Sequence, residues 1–283
     1  MATGSPAELD SFEERLRQRV NMNRNPLETN ALINRHRGYI PNTPLGSSVV
    51  AFLLGSIFAS GIYTFIADLS LSARWLTYQL GFFVAAWAFF HWAEFAVTAG
   101  WNFEKCSVDS YLLENGPMYH IANGTALLEY LISLYFAPSS KSWPYVSQIG
   151  ILMVILGQVL RSSAMIHAST NFSHTVASRK RDTHRLVTDG VYRFVIAKPP
   201  FFPIVVLIIL SWFRHPSYAG FFYWALGTQL VVQNPFTFTL FSILLWRFFY
   251  YRTRDEEKYL VKFFGDEYIN YRRRVGTMIP FVP

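Results

Sequence analysis

Only one cysteine, Cys106, occurs in the 283 residues, and only 15% of the chain is charged. A lone cysteine excludes a disulfide framework and any Cys-based metal site. The shortage of charge, beside 52% hydrophobic and 18% aromatic residues, excludes an ordinary soluble domain. No apolar core follows Met1 within the first 40 residues, so a signal peptide is not expected. Myristoylation and prenylation signals are missing from the two ends, as are the internal repeats that many transporters carry. Acidic residues are outnumbered, 18 against 25 Lys and Arg, for a net charge of +7. The basic residues cluster in loops beside apolar segments, which reads as a topology signal and not as a nucleic-acid footprint.

What the chain does have is a series of windows approaching the roughly 20 apolar residues that a membrane-spanning helix needs. The expected fold is an all-α, polytopic integral membrane protein of about six transmembrane helices. Their approximate ranges are 45–67, 75–99, 118–137, 145–167, 216–232 and 236–251. Three regions follow from this: a polar N-terminal tail (1–43), four spans (44–167), and a C-terminal region (168–283) that holds a helical hairpin and a charged tail from Arg252. Asn234-Pro235 leaves room only for a tight turn inside the hairpin. Six spans place both termini on one face. Arg179, Lys180, Arg181, Arg185 and Arg193 share that face with Arg252, Arg254, Arg272, Arg273 and Arg274, while the opposite loops hold little beyond Arg74 and Lys141. By the positive-inside rule the basic face is cytosolic. One apolar stretch, Phe194 to Ser211, stands outside the count. Three prolines spoil its start as a helix, and its proline-free core is far too short to span, so it reads as a shallow or peripheral loop.

Polar groups at membrane depth need partners. His91 and Glu94 are three residues apart on one face of the second span, and a buried polar contact between spans is favoured over metal binding. Glu129 in the third span is expected beside Glu94 or Arg161. Three polar clusters stand out on the basic face: His184 to Tyr192, Trp212 to Gly220, and Arg252 with Glu256. Each has a plain reading. The first could be a loop with an Asp189-Gly190 turn, the second a helix start with Pro216 in the first turn, and the third an exposed i, i+4 ion pair. Cation before anion is the weaker order for such a pair on a helix.

Taken together, these clusters resemble the isoprenylcysteine carboxyl methyltransferases, integral membrane enzymes of the endoplasmic reticulum. The resemblance runs from about Pro44 to Phe281. It rests on Asn171-Phe172-Ser173-His174, on Asp182 to Tyr192, on Trp212 to Gly220, on Trp246-Arg247-Phe248-Phe249, on Arg252-Thr253 with Glu256, and on Phe263 to Tyr268. It implies methyl transfer from S-adenosylmethionine to the C-terminal carboxylate of a prenylated cysteine. His184, Arg185, Leu186, Val187, Tyr192, His215, Pro216, Ser217, Tyr218 and Glu256 would bind the cofactor, and Arg252 would hold the substrate carboxylate. The implied partners are prenylated CaaX proteins such as small GTPases, within the bilayer and without nucleic acid or metal. The residue types suit these roles, since a guanidinium matches a planar carboxylate and Glu256 can accept from the cofactor's hydroxyl or ammonium groups.

Three departures accompany the resemblance. Ala177 stands where the family has a cofactor-binding Gln, and the two extra N-terminal spans of animal members are replaced by a polar tail. The third departure is Phe194 to Ser211 itself, which separates the Gly-Val-Tyr motif from Trp-Phe-Arg-His-Pro. Its composition and its in-frame length of 18 residues are those of a translated retained intron. Three alternatives stay open on the residues alone: a membrane phospholipid methyltransferase, a sterol reductase of related C-terminal architecture, and a transporter or non-catalytic membrane protein.

Overall fold

Proline opens four of the long helices, at the position where a missing N–H and a fixed φ are an advantage. These are α1 (Pro44–Ala67), α3 (Pro117–Phe136), α5 (Pro216–Val231) and α6 (Pro235–Phe264). Between them lie α2 (Tyr78–Trp101), capped by the Thr77 side chain, and α4 (Val146–Ala168); a short α7 (Asp266–Arg272) follows α6. The structure is a computed structural model that describes residues 38–67, 73–174, 186–187 and 213–282. The insert 194–211, Ala177, and the predicted cofactor ligands His184, Arg185 and Tyr192 lie outside the described residues.

The fold is all-α; its first five helices coincide with the first five expected apolar segments, and the sixth helix begins with the sixth segment and runs on beyond it. Three helical stretches among the described residues, Pro44–Ala67, Tyr78–Trp101 and Val146–Asn171, are long and apolar enough to cross a membrane. By contrast α5, with 16 residues, is about 24 Å long and shorter than the hydrocarbon layer. The exterior of the bundle is apolar. Phe52, Ile66 and Phe136 are each more than 70% exposed, as expected of side chains whose solvent is lipid. Inside, Phe90, Tyr130, Phe213, Phe222, Trp224 and Phe249 belong to one buried cluster drawn mainly from α2, α3, α5 and α6.

The most extensive helix pair is α4 with α5. Glycines make the approach possible: a Cβ on Gly157 would lie 2.7 Å from the Gly220 carbonyl oxygen, and one on Gly220 would lie 2.7 Å from the Arg161 amide. Small residues let membrane helices touch backbone to backbone, where dispersion replaces the missing hydrophobic drive. That contact brings Arg161 to the first turn of α5.

Two expectations are corrected. The charged stretch from Arg252 is not a separate tail, because α6 runs unbroken for 30 residues to Phe264. No Pro or Gly interrupts it before Gly265, which ends it with φ +53°. Glu129 is beside neither Glu94 nor Arg161. It sits at the other end of the bundle and accepts from the amides of Phe236 (2.9 Å) and Thr237 (2.7 Å), capping the positive end of α6. Nearby, buried Lys141 donates to the Gln233 carbonyl (3.0 Å) and to Asn234 Oδ1 (2.7 Å), closing the α5–α6 turn. Burial pulls its ammonium down to about 8 against the opposing pull of Glu129. The intramembrane polar pair behaves as expected of inter-span contacts: His91 bonds the Tyr111 carbonyl and the Tyr119 hydroxyl, and Glu94 binds Arg161.

Candidate active site

The chain leaves α4, turns through Ser169–Asn171, and presents Phe172, Ser173 and His174 at one end of the bundle. Lys105 and Asn102 hold this segment from below. The Lys105 ammonium donates to the carbonyls of Thr170 (2.7 Å) and Phe172, and the Asn102 amide donates to Phe172 (2.9 Å). Opposite stands the corner where Arg214 and His215 enter α5. Pro216 fixes the first turn, so Ser217 and Tyr218 project from a rigid start. The third wall is the charged half of α6 with α7 packed behind it.

Between these walls lies a cleft lined by Leu186, Val187, His215, Ser217, Tyr218 and Glu256, together with Asn171 to Ser173, Leu260, Phe264 and two tyrosines of α7. Of the eleven residues the sequence nominated, six therefore meet in one place. Pro216 is buried at the helix start that carries them. Arg252 stands next to the cleft, one helical turn before Glu256 on α6.

Arg252 and Glu256 do not form the ion pair that their spacing allowed; Tyr218 stands between them. Its hydroxyl accepts from Arg252 Nε at 2.8 Å and donates to Glu256 Oε2 at 2.6 Å. The guanidinium also lies over the Tyr218 and Phe248 rings, 5.1 and 5.7 Å from their centroids, and its NH2 group donates to the His174 carbonyl. His215 stacks on the Tyr218 ring at 5.3 Å, with Nδ1 3.7 Å from Glu256 and Nε2 3.4 Å from Glu257.

Several neighbours of the cleft were not legible as such. Glu257 is buried and collects Arg214 (2.7 Å), Arg272 (3.2 Å) and His215. Burial alone would raise its carboxyl, but the His215 hydrogen bond and the Arg214 and Arg272 charges hold it below the ordinary range. Arg214 also donates to the Val275 carbonyl (2.6 Å), and its amide donates to Gly276 (2.7 Å), so it ties the corner to the C-terminal strap. From inside the bundle, Arg161 grips both oxygens of Glu94 and reaches Ser217 Oγ at 3.1 Å. The Phe90 and Phe221 rings flank that guanidinium at 5.5 and 5.4 Å. His174 lies between these groups. Its ring is driven down to about 4, first by burial and then by the Arg161, Arg252 and Lys105 charges, against the pull of Glu94. The Asn-Phe-Ser-His run was the available signal for this last group.

A bundle of apolar helices ending in a cleft of charged and aromatic side chains defines a multi-pass membrane protein with an enzyme-like site at one end. Comparison with known proteins narrows that class. The family model for the isoprenylcysteine carboxyl methyltransferase family matches residues 150–211 and 196–262, and the two matches meet inside the insert. The human protein-S-isoprenylcysteine O-methyltransferase is 37% identical over 235 residues, covering 83% of this chain and 74% of the relative. The Saccharomyces cerevisiae enzyme of the same name is 42% identical over 206 residues, covering 71% and 79%. A solved structure of a eukaryotic intramembrane Ras methyltransferase, an isoprenylcysteine carboxyl methyltransferase, superimposes with a TM-score of 0.72 at 35% identity, covering 84% of this chain and 77% of that one. The chain belongs to the isoprenylcysteine carboxyl methyltransferase family.

Proposed function

We propose that the chain methylates the C-terminal carboxylate of a prenylated cysteine, with S-adenosylmethionine as methyl donor. The observation that carries this reading is the Tyr218 hydroxyl, which joins Arg252 to Glu256. A group suited to a substrate carboxylate and a group suited to a cationic, hydroxyl-bearing cofactor thus meet across one side chain. The cleft's composition fits the cofactor, since Leu186, Val187, Leu260 and Phe264 offer apolar faces for a purine beside the acceptor Glu256. When bound, S-adenosylmethionine supplies a methyl group on a sulfonium. His184, Arg185, Tyr192, His215, Pro216, Ser217 and Tyr218 complete its proposed pocket.

The protein's share of the chemistry is orientation. A terminal carboxylate, with a pKa of about 3.5, is already ionised at neutral pH and is its own nucleophile. Among the described residues Arg252 spends Nε on Tyr218 and part of NH2 on His174, which leaves its NH1 group for that carboxylate. The aromatic faces of Tyr218 and Phe248 fix the plane of the guanidinium and shut out water. The prenyl chain would enter sideways from the bilayer between apolar helices. We read the substrates as CaaX proteins such as small GTPases and the location as the endoplasmic reticulum membrane. The basic residues on the face of the cleft support cytosolic termini and a cytosolic active site. The regions 1–43, 44–167 and 168–283 then serve as tail, membrane bundle and catalytic part.

Membranes containing the chain, incubated with labelled S-adenosylmethionine and N-acetyl-S-farnesylcysteine, should yield an alkali-labile methyl ester. A well-expressed chain that makes none, both in full and with residues 194–211 deleted, overturns the reading. Label appearing in phospholipid instead would support the lipid methyltransferase alternative.

A further inference from the structure

We propose that the Tyr268 hydroxyl is a cofactor contact, donating its hydrogen to a ribose hydroxyl of the methyl donor while Glu256 accepts that group's own hydrogen. The inference rests on the methylation reading above and deepens it, adding a residue and the part of the cofactor that this residue reads.

Three observations converge on this side chain. First, Tyr268 lines the cleft from α7 although only 1% of it is exposed. Its ring is buried with Tyr271 and Val275, against Leu186, Leu260 and Phe264. Second, the hydroxyl is buried and has no hydrogen-bond partner among the described residues. Its charged neighbours are Glu257, Arg214 and Glu256. Glu257 is engaged by other donors: Oε1 accepts from Arg214 Nε at 2.7 Å and faces His215 Nε2 at 3.4 Å, and Oε2 faces Arg272 NH1 at 3.2 Å. Glu256 Oε2 already accepts from Tyr218, which leaves Oε1. Third, the phenol stays neutral. Burial first, and then the Glu257 charge, push its ionisation up, so the O–H is present at every working pH. A buried O–H with nothing to bond is destabilising and calls for an acceptor.

The nature of the acceptor follows from where the hydroxyl stands. Arg252, Glu256, Leu260 and Phe264 follow one another along α6 at four-residue steps of about 6 Å. The substrate carboxylate belongs at the Arg252 end and the purine at the Leu260 and Phe264 end, so Glu256 stands at the level of the sugar between them. The Tyr268 ring packs on the purine level, and its hydroxyl reaches back toward the two glutamates. A methionyl carboxylate there would be repelled by both acids, and the purine nitrogens lie at the apolar end. A ribose hydroxyl suits the place because it donates and accepts at once. Its hydrogen goes to Glu256, and its oxygen takes the hydrogen of Tyr268.

The test uses S-adenosylhomocysteine, the demethylated form of the donor, together with its 2′-deoxy and 3′-deoxy analogues. Purified full-length chain in detergent is titrated with each by calorimetry. Y268F keeps the packed ring and removes only the hydroxyl, so it should weaken S-adenosylhomocysteine about 3- to 10-fold, as expected for one hydrogen bond. That loss should persist for one deoxy analogue and vanish for the other, which lacks the accepting oxygen. Melting separates a ligand contact from a structural one. Without ligand, Y268F should melt no lower than the unaltered chain, while a fixed concentration of S-adenosylhomocysteine should stabilise it less. Unchanged affinity in Y268F overturns the inference, and so does an equal loss for all three ligands. A ligand-free variant that melts lower, with no difference among the ligands, would make the hydroxyl merely structural. Binding of both deoxy analogues at full affinity by the unaltered chain overturns the inference without any variant. Failure of the unaltered chain to bind S-adenosylhomocysteine at all would instead overturn the methylation reading, and the inference with it.

Discussion

At the scale of single residues, Tyr218 joins parts of the site that would otherwise be separate. One oxygen accepts from a cation and donates to an anion, so its loss releases Arg252 and Glu256 together. A hydrogen bond to a charged group contributes about 1.5–3 kcal/mol. Y218F keeps the ring that stacks on His215 and carries the Arg252 guanidinium, and it removes only the hydroxyl. We expect kcat/KM to fall about 10- to 100-fold, with KM raised for cofactor and prenylcysteine alike, read by varying each at saturation of the other. A rise confined to one substrate would show that the hydroxyl serves one subsite only. The adjacent acids make a contrast that spacing alone could not supply. Glu256 and Glu257 are equal in sequence, yet helix phase turns the first to the cleft and the second into the buried Arg214–Arg272 cluster. The resemblance singles out Glu256, the one that lines the cleft, and nothing in the residue types themselves does.

Among the helices, the site depends on how closely α4 can approach α5. The Gly157–Gly220 contact is what lets Arg161 reach Ser217 from inside the bundle. G220A would place a Cβ against the Arg161 amide, where only backbone movement can relieve it. Overpacking of this kind costs about 1–3 kcal/mol. We expect a lower melting temperature in detergent, and a kcat loss larger than that of E129A, a change at the far end of the bundle. Equal effects of the two substitutions would show that the α4–α5 approach does not reach the site. Helix positions and the proline-led starts were legible because apolar runs and N1 prolines act locally. The continuation of α6 past Arg252 was legible in principle from its lack of breakers, but the sudden rise in charge suggested a boundary where the backbone has none. Glu129 was misplaced for a different reason. Its partners are amides 107 and 108 positions away, and no side-chain pattern signals a backbone donor.

For the molecule as a whole, two shifted groups at the cleft end, His174 and Glu257, act in the same direction as pH falls. His174 is held to about 4 against an ordinary 6.5, so between those values the unfolded chain takes up a proton that the folded chain refuses. Stability from this residue is complete above pH 6.5 and drains away as pH falls toward 4. Glu257, also held below its ordinary 4.5, adds stability that is present above that value and is lost on further acidification. The detergent-solubilised protein should therefore melt at a progressively lower temperature from pH 7 to pH 5, with residue 174 contributing to the upper part of the fall. H174N removes that proton site, so its melting temperature should fall less steeply between pH 6.5 and 5 than that of the unaltered protein. A melting temperature constant from pH 7 to pH 5 in the unaltered protein, or an identical slope in H174N, would mean that the ring at 174 is as easily protonated folded as unfolded.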